Sequence, residues 1–317
     1  MQCRGAIFTK WQPFNPPTDY RDYVSSAPSP ATLMRCPVNT TVTELTEYVR
    51  RDGGVVIEGL LTPHETSVLH DQLQVHVERR SPGFREDAGD DEFYGRKTVR
   101  IQGLAAKSRQ FVDSVLLNEI LLGIADNILL PNCGNYWMSQ SETIYIAPGN
   151  PAQALHRDDI NWSFAARQGI DLQMSALIAL GDYDAEVGAT MVVPNSHLDG
   201  YDAPIDVSLA QPVEMNPGDA LIYLGSLAHG GGANNSANRI RKALYIGFLL
   251  GWLTPEEAVP LAIPLEVAQT LPTRARALLG LSSVRGNTAT EGVESFTQLW
   301  QLDKDHLDQL GGTFIQD

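Results

Sequence analysis

The chain has 317 residues, is 43% hydrophobic and carries a formal net charge of −15, which gives it ample apolar content for a core and a surface too acidic to favour nucleic acid or an anionic membrane. Its three cysteines, Cys3, Cys36 and Cys133, are odd in number, widely spaced and in no CxxC pair, which argues against a disulfide framework or a structural zinc site. The opening stretch has no long apolar run and no later segment has the length to cross a bilayer, so the expectation is a cytoplasmic protein without signal peptide or membrane span.

Residues 1–40, rich in Pro, Ser, Thr and Asn, are expected to form an irregular N-terminal extension. Residues 41–317 are expected to form a single domain. Thr41 and Glu44 make a capping-box pattern that opens a helix, and Gly53-Gly54 closes it. A short strand follows over Val55–Leu60. Thr62-Pro63-His64-Glu65 opens a second helix, again with a capping box and with proline at its first position, running to about Arg80. A third helix is expected over Ser108–Leu129. From Asn135 onward, segments rich in β-branched and aromatic residues alternate with Gly, Pro and Asn turns. Strands are expected at Tyr136–Ile146, Ala152–His156, Gln173–Leu180, Thr190–Val193, Val213–Met215, Ala220–Leu224 and Ala243–Leu249. The tail returns to helix over Pro264–Leu279 and Val293–Leu310. The fold class is mainly β with flanking α: a double-stranded β-helix, a jelly roll or cupin-like barrel, with its core at about 135–250 and helices behind it.

His156-Arg157-Asp158 carries the most chemistry. If this stretch is extended, His156 and Asp158 share one face and Arg157 faces away. His229, in LAHGGGANN, lies far downstream, directly after an apolar strand. Two imidazoles and one carboxylate can cap one face of an octahedral iron(II) and leave three positions open. Each part alone is also compatible with an ordinary surface or capping residue. Arg241 opens a buried strand, where a guanidinium needs an anion, either an internal carboxylate or a ligand's. On the residues alone, a non-catalytic barrel serving as a partner subunit and a cupin-type metal isomerase remain open beside an oxygenase.

The blocks NPAQALHRD, GAT followed by VVPNSH, NPGDALIY, HGGGANN and RKAL occur together in order, and with them the chain resembles the phytanoyl-CoA dioxygenase family of iron(II)/2-oxoglutarate oxygenases. It is most similar to the fungal natural-product branch that acts on meroterpenoids and alkaloids. The resemblance covers roughly Gly53–Ser283. It implies that His156, Asp158 and His229 hold Fe(2+), and that Arg241 grips the distal carboxylate of 2-oxoglutarate. It implies further co-substrate contacts from Gln153, Thr190 and Arg100. Trp162, Phe164, Phe93 and Tyr94 are candidates to line an apolar substrate cleft, the last two on a lid loop beside the acidic stretch Glu86–Glu92. The carboxylate of Asp158 stands where halogenases of this class have a small residue, which disfavours halogenation. The implied reaction uses O2 and 2-oxoglutarate to oxidise a C–H bond of a small apolar natural product, by hydroxylation, desaturation, epoxidation or rearrangement. A homodimer is the implied assembly.

Overall fold

The computed structural model describes residues 32–83, 91–285 and 298–310. Ten strands build two sheets: β1 (Met34–Pro37), β2 (Gly54–Glu58), β3 (Thr98–Gln102), β4 (Tyr136–Ile146), β5 (Gln173–Ala179), β6 (Met191–Val192), β7 (Gln211–Pro212), β8 (Ala220–Leu224), β9 (His229–Gly230) and β10 (Arg241–Leu250). The larger sheet has seven strands in the order β1-β2-β8-β5-β10-β4-β3, and the smaller has the order β7-β6-β9. This is the mainly β jelly-roll architecture with flanking helices. A short pair, Val284–Arg285 with Gln298–Leu299, lies apart from both sheets.

Period-two alternation explains why the central strands are buried on both faces. On β10, Leu244, Ile246 and Phe248 point to the helices, joined there by Met174, Ala176 and Ile178 of β5 and Ile222 of β8. The opposite face presents Ala243 and Tyr245 of β10, Leu177 and Ala179 of β5, and Leu221 and Tyr223 of β8, which pack against Tyr183, Ala189 and Val192 of the smaller-sheet side. The functional side chains project from this second face.

Three helices close the first face. Helix α1 (Val42–Asp52) contributes Leu45 and Val49, α2 (Pro63–Val77) contributes Leu69 and Leu73, and α3 (Glu119–Leu129) contributes Leu121, Ile124 and Ile128. Both expected capping boxes are present, at Thr41/Glu44 and Thr62/Glu65. The continuous helix expected over Ser108–Leu129 is broken. A π-helical turn occupies Val112–Leu116, and Asn118 then caps α3 by accepting from the backbone N–H groups of Ile120 and Leu121. An Asn side chain competes well for such groups and restarts the helix on a new axis. No single helix among the described residues is long and apolar enough to cross a membrane.

Other expectations shift. The irregular extension contains strand β1, which pairs in parallel with β2. Ala152–His156 is not a strand but a loop with one bridge, His156 to His229. Val213–Met215 lies beyond β7, although the Val213 N–H still donates to Thr190 O at 2.8 Å. The helix expected over Pro264–Leu279 is two short ones, Leu265–Ala268 and Thr273–Leu278, because Pro272 forbids continuation through the residue before it. Of the expected helix Val293–Leu310, residues 293–297 lie outside the described residues, and only Lys304–Gln309 is helical. Most of the Glu86–Glu92 stretch also lies outside them; Phe93 and Tyr94 sit on a one-turn helix, Asp91–Tyr94.

Gly53 ends α1 in the left-handed region, with φ of 85°, and its N–H donates to Val49 O. A Cβ there would lie 2.6 Å from both His197 Nδ1 and Leu227 Cδ1. Gly53→Ala is therefore expected to destabilise the fold by roughly 1–3 kcal/mol through strain and contact together. Urea denaturation checks this; a wild-type midpoint would contradict it.

Candidate metal centre

The site begins with backbone pairing between two distant segments. Gln153 N–H donates to Gly231 O at 2.8 Å, and the loop then runs antiparallel to β9. His156 and His229 exchange both backbone hydrogen bonds, at 2.8 and 2.9 Å. Their rings are thereby held with centroids 4.5 Å apart. Each Nδ1 faces a carbonyl oxygen, Ala154 O for His156 and Leu227 O for His229, both at 3.0 Å. A carbonyl only accepts, so each Nδ1 carries the proton and each Nε2 keeps a free lone pair.

Asp158 opens a 3-10 turn, Asp158–Trp162, directly after the loop. Its Oδ1 lies 3.6 Å from His156 Nε2 and 3.5 Å from His229 Nε2. The three ligand atoms all fall within 4.8 Å of one another. Oδ2 receives two longer hydrogen bonds, from the hydroxyls of Tyr223 (3.4 Å) and Tyr245 (3.5 Å). Gln173 Nε2 donates to the Tyr245 hydroxyl at 2.6 Å, and Ser175 Oγ lies 3.0 Å from it, so the polar chain is anchored in β5. Burial would push the Asp158 carboxyl up, but the two histidines outweigh it and hold it below the usual range. Burial holds His229 below the ordinary imidazole value. Burial would lower His156 too, but the Asp158 carboxylate outweighs it and raises that imidazole. Two imidazole nitrogens and one carboxylate oxygen on a common face suit a divalent first-row metal and leave the other side free.

Arg157 separates the two ligand positions and does face away. It is buried, and its guanidinium donates to Ser226 O (3.1 Å), Ala203 O (3.1 Å) and Ser196 O (3.2 Å). It ties together the loops behind the site.

In front of the triad is a cleft of about 990 Å³, part of it open to solvent. Arg241 reaches it from the start of β10 and is 2% exposed. Its Nη1 donates to Gly188 O at 3.0 Å, its guanidinium carbon lies 5.0 Å from the centre of the Tyr183 ring, and its buried Nε has no partner. No Asp or Glu among the described residues pairs with it. Thr190 lines the same end, its hydroxyl 2.6 Å from that of Tyr183. Gln153 also lines the cleft while its Oε1 accepts from Gly231 N–H at 3.1 Å. Arg100 lines the cleft but is ion-paired through Nη1 with Glu142, and its guanidinium stacks on Tyr94. Arg100 thus reaches the cleft with one guanidinium nitrogen committed to Glu142 and its buried Nε without a partner.

Phe93 and Tyr94 line the cleft, and the Phe93 ring meets His156 edge-on at 4.9 Å. Two other aromatic expectations are corrected. Phe164 is 89% exposed and lines no part of the cleft, because its short helix, Ser163–Ala166, turns it outward. Trp162 points its Nε1 to Thr254 O at 2.9 Å and packs against Trp137 and Leu249 instead. Sequence reasoning missed Tyr223, Tyr245, Gln140, Glu142 and Glu256, which all line the cleft. Alternation from Arg241 along β10 points to Tyr245; Glu256 has no periodic signal.

The model of the phytanoyl-CoA dioxygenase (PhyH) family matches residues 49–243. The chain belongs to this family. It is 33% identical to the dioxygenase FrzG of Cladobotryum sp, over 83% of this chain and 92% of that protein. It is 34% identical to the dioxygenase ALT11 of Alternaria alternata, over 77% and 83% respectively. Among solved structures it is similar to SnoK, a non-heme alpha ketoglutarate dependent carbocyclase from nogalamycin biosynthesis (TM-score 0.53, 20% identity, 69% of this chain and 88% of that one). It is similar also to HygX from Streptomyces hygroscopicus with nickel and 2-oxoglutarate bound (TM-score 0.53, 18% identity, 67% and 88%). These structural likenesses are of fold. As a member of the phytanoyl-CoA dioxygenase family, the protein is an iron(II)/2-oxoglutarate-dependent oxygenase with O2 as co-substrate. The donor set His-Asp-His and the buried, carboxylate-free Arg241 fit those groups.

Replacing Arg157 by Met would leave three carbonyls without their cationic donor. We expect a loss of roughly 2–4 kcal/mol of stability, together with weakened metal binding as the Asp158 turn loosens. Denaturant midpoints with and without metal measure both; unchanged values would refute the structural role.

Proposed function

We propose that His156, Asp158 and His229 hold the iron, and that Arg241, with Thr190 and Gln153 beside it, receives 2-oxoglutarate. The substrate is then a small natural product of fungal secondary metabolism, oxidised at a C–H bond that faces the remaining side of the metal. The supporting observation is the joint geometry. Two histidine Nε2 atoms and one Asp158 oxygen converge in a cleft whose inner end holds a buried guanidinium without a carboxylate.

Each residue's role follows from its surroundings. The carbonyls of Ala154 and Leu227 hold both imidazoles in the tautomer that ligates through Nε2. Tyr223 and Tyr245 donate to Asp158 Oδ2, so Oδ1, the oxygen beside both Nε2 atoms, is the one that would hold the metal. Arg241 is buried, so its two-pronged hydrogen bonding to a carboxylate is strengthened by the low local polarity. Gly231 and Gly232 keep the wall near Arg241 thin: a Cβ on Gly232 would lie 2.6 Å from Ala189 O, and one on Gly231 3.7 Å from Arg241 Nη1. When bound, iron(II) with 2-oxoglutarate and dioxygen supplies the oxidising power. The protein's part is to orient the substrate and keep competing water away.

The relatives' shared name, dioxygenase, and their fungal sources support this reading at the level of chemistry and setting. Anaerobic titration with iron(II) and 2-oxoglutarate tests it, since the ternary complex absorbs weakly in the visible. His156→Ala and Asp158→Ala should abolish the band. Arg241→Met should weaken 2-oxoglutarate affinity by about a hundredfold, the scale of a lost buried ion pair, without abolishing metal binding. A band that survives loss of His156, or full 2-oxoglutarate affinity without Arg241, would overturn the assignment.

A further inference from the structure

The end of the cleft away from Arg241 is acidic. Glu142 and Tyr245 are direct partners across β4 and β10. Tyr245 and Arg241 are four residues apart on β10, roughly 13 Å at the usual strand rise. Glu142 therefore stands level with the triad and well removed from the co-substrate end. It is 3% exposed. Its Oε1 is held by Arg100, and its Oε2 lies buried in the cleft wall with no partner.

A second carboxylate, Glu256, is held at the same cleft by a defect in β4. The pairing of β10 with β4 slips between Gly247 and Phe248, whose partners are Gln140 and Met138, so Ser139 is a bulged residue. Ser139 anchors the following loop. Its O accepts from Glu257 N–H at 2.9 Å, its Oγ accepts from Glu256 N–H at 3.2 Å, and Oγ lies 3.3 Å from Glu256 Oε1. Glu257 locks the arrangement by accepting from Gly103 N–H (2.8 Å) and Ser141 N–H (3.1 Å). Glu256 is left facing the cleft, and no cation among the described residues pairs with it.

The charges then sort by partner. Arg241 answers a co-substrate carboxylate, Asp158 belongs with the two histidines, and Arg100 answers Glu142. Glu256 has no cation opposite it among the described residues, and beside it a buried Glu142 oxygen accepts nothing. Both carboxyls are pushed above their ordinary range, first by desolvation in the cleft and then because Asp158 repels them, the buried Glu142 more securely than Glu256, which is exposed at the mouth. A compact cation with several N–H donors would satisfy both groups together.

We propose that the substrate carries a protonated amine, received between Glu142 Oε2 and the Glu256 carboxylate. This rests on the assignment of the cleft as the oxidation site, and it narrows the expectation of a wholly apolar substrate to an apolar skeleton with one basic nitrogen.

The test uses matched probes, tryptamine and its neutral counterpart tryptophol, titrated calorimetrically into the full chain loaded anaerobically with iron(II) and 2-oxoglutarate. The amine should bind at least about tenfold more tightly than the alcohol. In E142Q/E256Q the preference should fall to within about twofold, and E256Q alone should lie between. The visible band of the 2-oxoglutarate complex should survive in these variants, which shows that they fold and that the co-substrate end is intact. Equal affinity for the two probes, no binding of either, or a preference that persists in the double variant would overturn the proposal. Repeating the pair on metal-free protein separates the two readings: an amine preference there with no band on loading sinks the metal assignment alone.

Discussion

The site depends on one backbone contact. His156 and His229 exchange two hydrogen bonds across a single isolated bridge, and no regular strand holds the His156 segment there. That pairing fixes the separation of the two rings and brings the 153–156 loop against β9. It also delivers the carbonyls of Ala154 and Leu227 to the two Nδ1 atoms. A metal site needs its donors placed within fractions of an ångström, and side chains on mobile loops do not achieve this. Here the backbone pairing supplies the rigidity that a longer strand would otherwise give.

The two buried arginines show how the same residue serves opposite ends. Arg157 has three carbonyl acceptors and so completes its hydrogen bonding inside the protein. Arg241 has one carbonyl and a tyrosine face, with a buried Nε that nothing accepts. Burying a guanidinium without an anion is unfavourable, and burial lowers its pKa accordingly. A fold tolerates that cost where a ligand removes it. The contrast separates an arginine whose donors the fold satisfies from one whose donors it leaves open, although both sit in buried positions.

Much of this was readable from residue order. Strands β4, β5, β8 and β10 follow their apolar alternation to within a residue or two, because a strand buried on both faces leaves a dense hydrophobic signature. Capping boxes located the starts of α1 and α2, since the two side chains involved are a fixed distance apart in sequence. What could not be read depends on tertiary contacts. The segment Ala152–His156 looks extended, yet only its end pairs. Trp162 and Phe164 follow the ligand pair closely, but a 3-10 turn and a four-residue helix send one against Trp137 and Leu249 and the other into solvent. Spacing along the chain says nothing about such a turn. Arg100 was legible as a basic residue near the cleft, and its partner was not, because Glu142 lies on a neighbouring strand and looks in sequence like any polar strand position.

The acidic wall follows from the same logic at one remove. The slip leaves Ser139 without a partner on β10, and its carbonyl oxygen and hydroxyl accept from the Glu257 and Glu256 N–H groups. Glu257 then occupies two N–H groups, on Gly103 and Ser141, and its neighbour has no choice but to face the cleft. A one-residue irregularity in a strand thus helps to place Glu256 beside the His-Asp-His cluster. Natural sheets keep such bulges next to functional sites because they aim a side chain without disturbing the packing behind it. In this chain the packing behind is Phe248 and Met138, both fully committed to the helix-side core, so the irregularity is confined to the face that binds ligands.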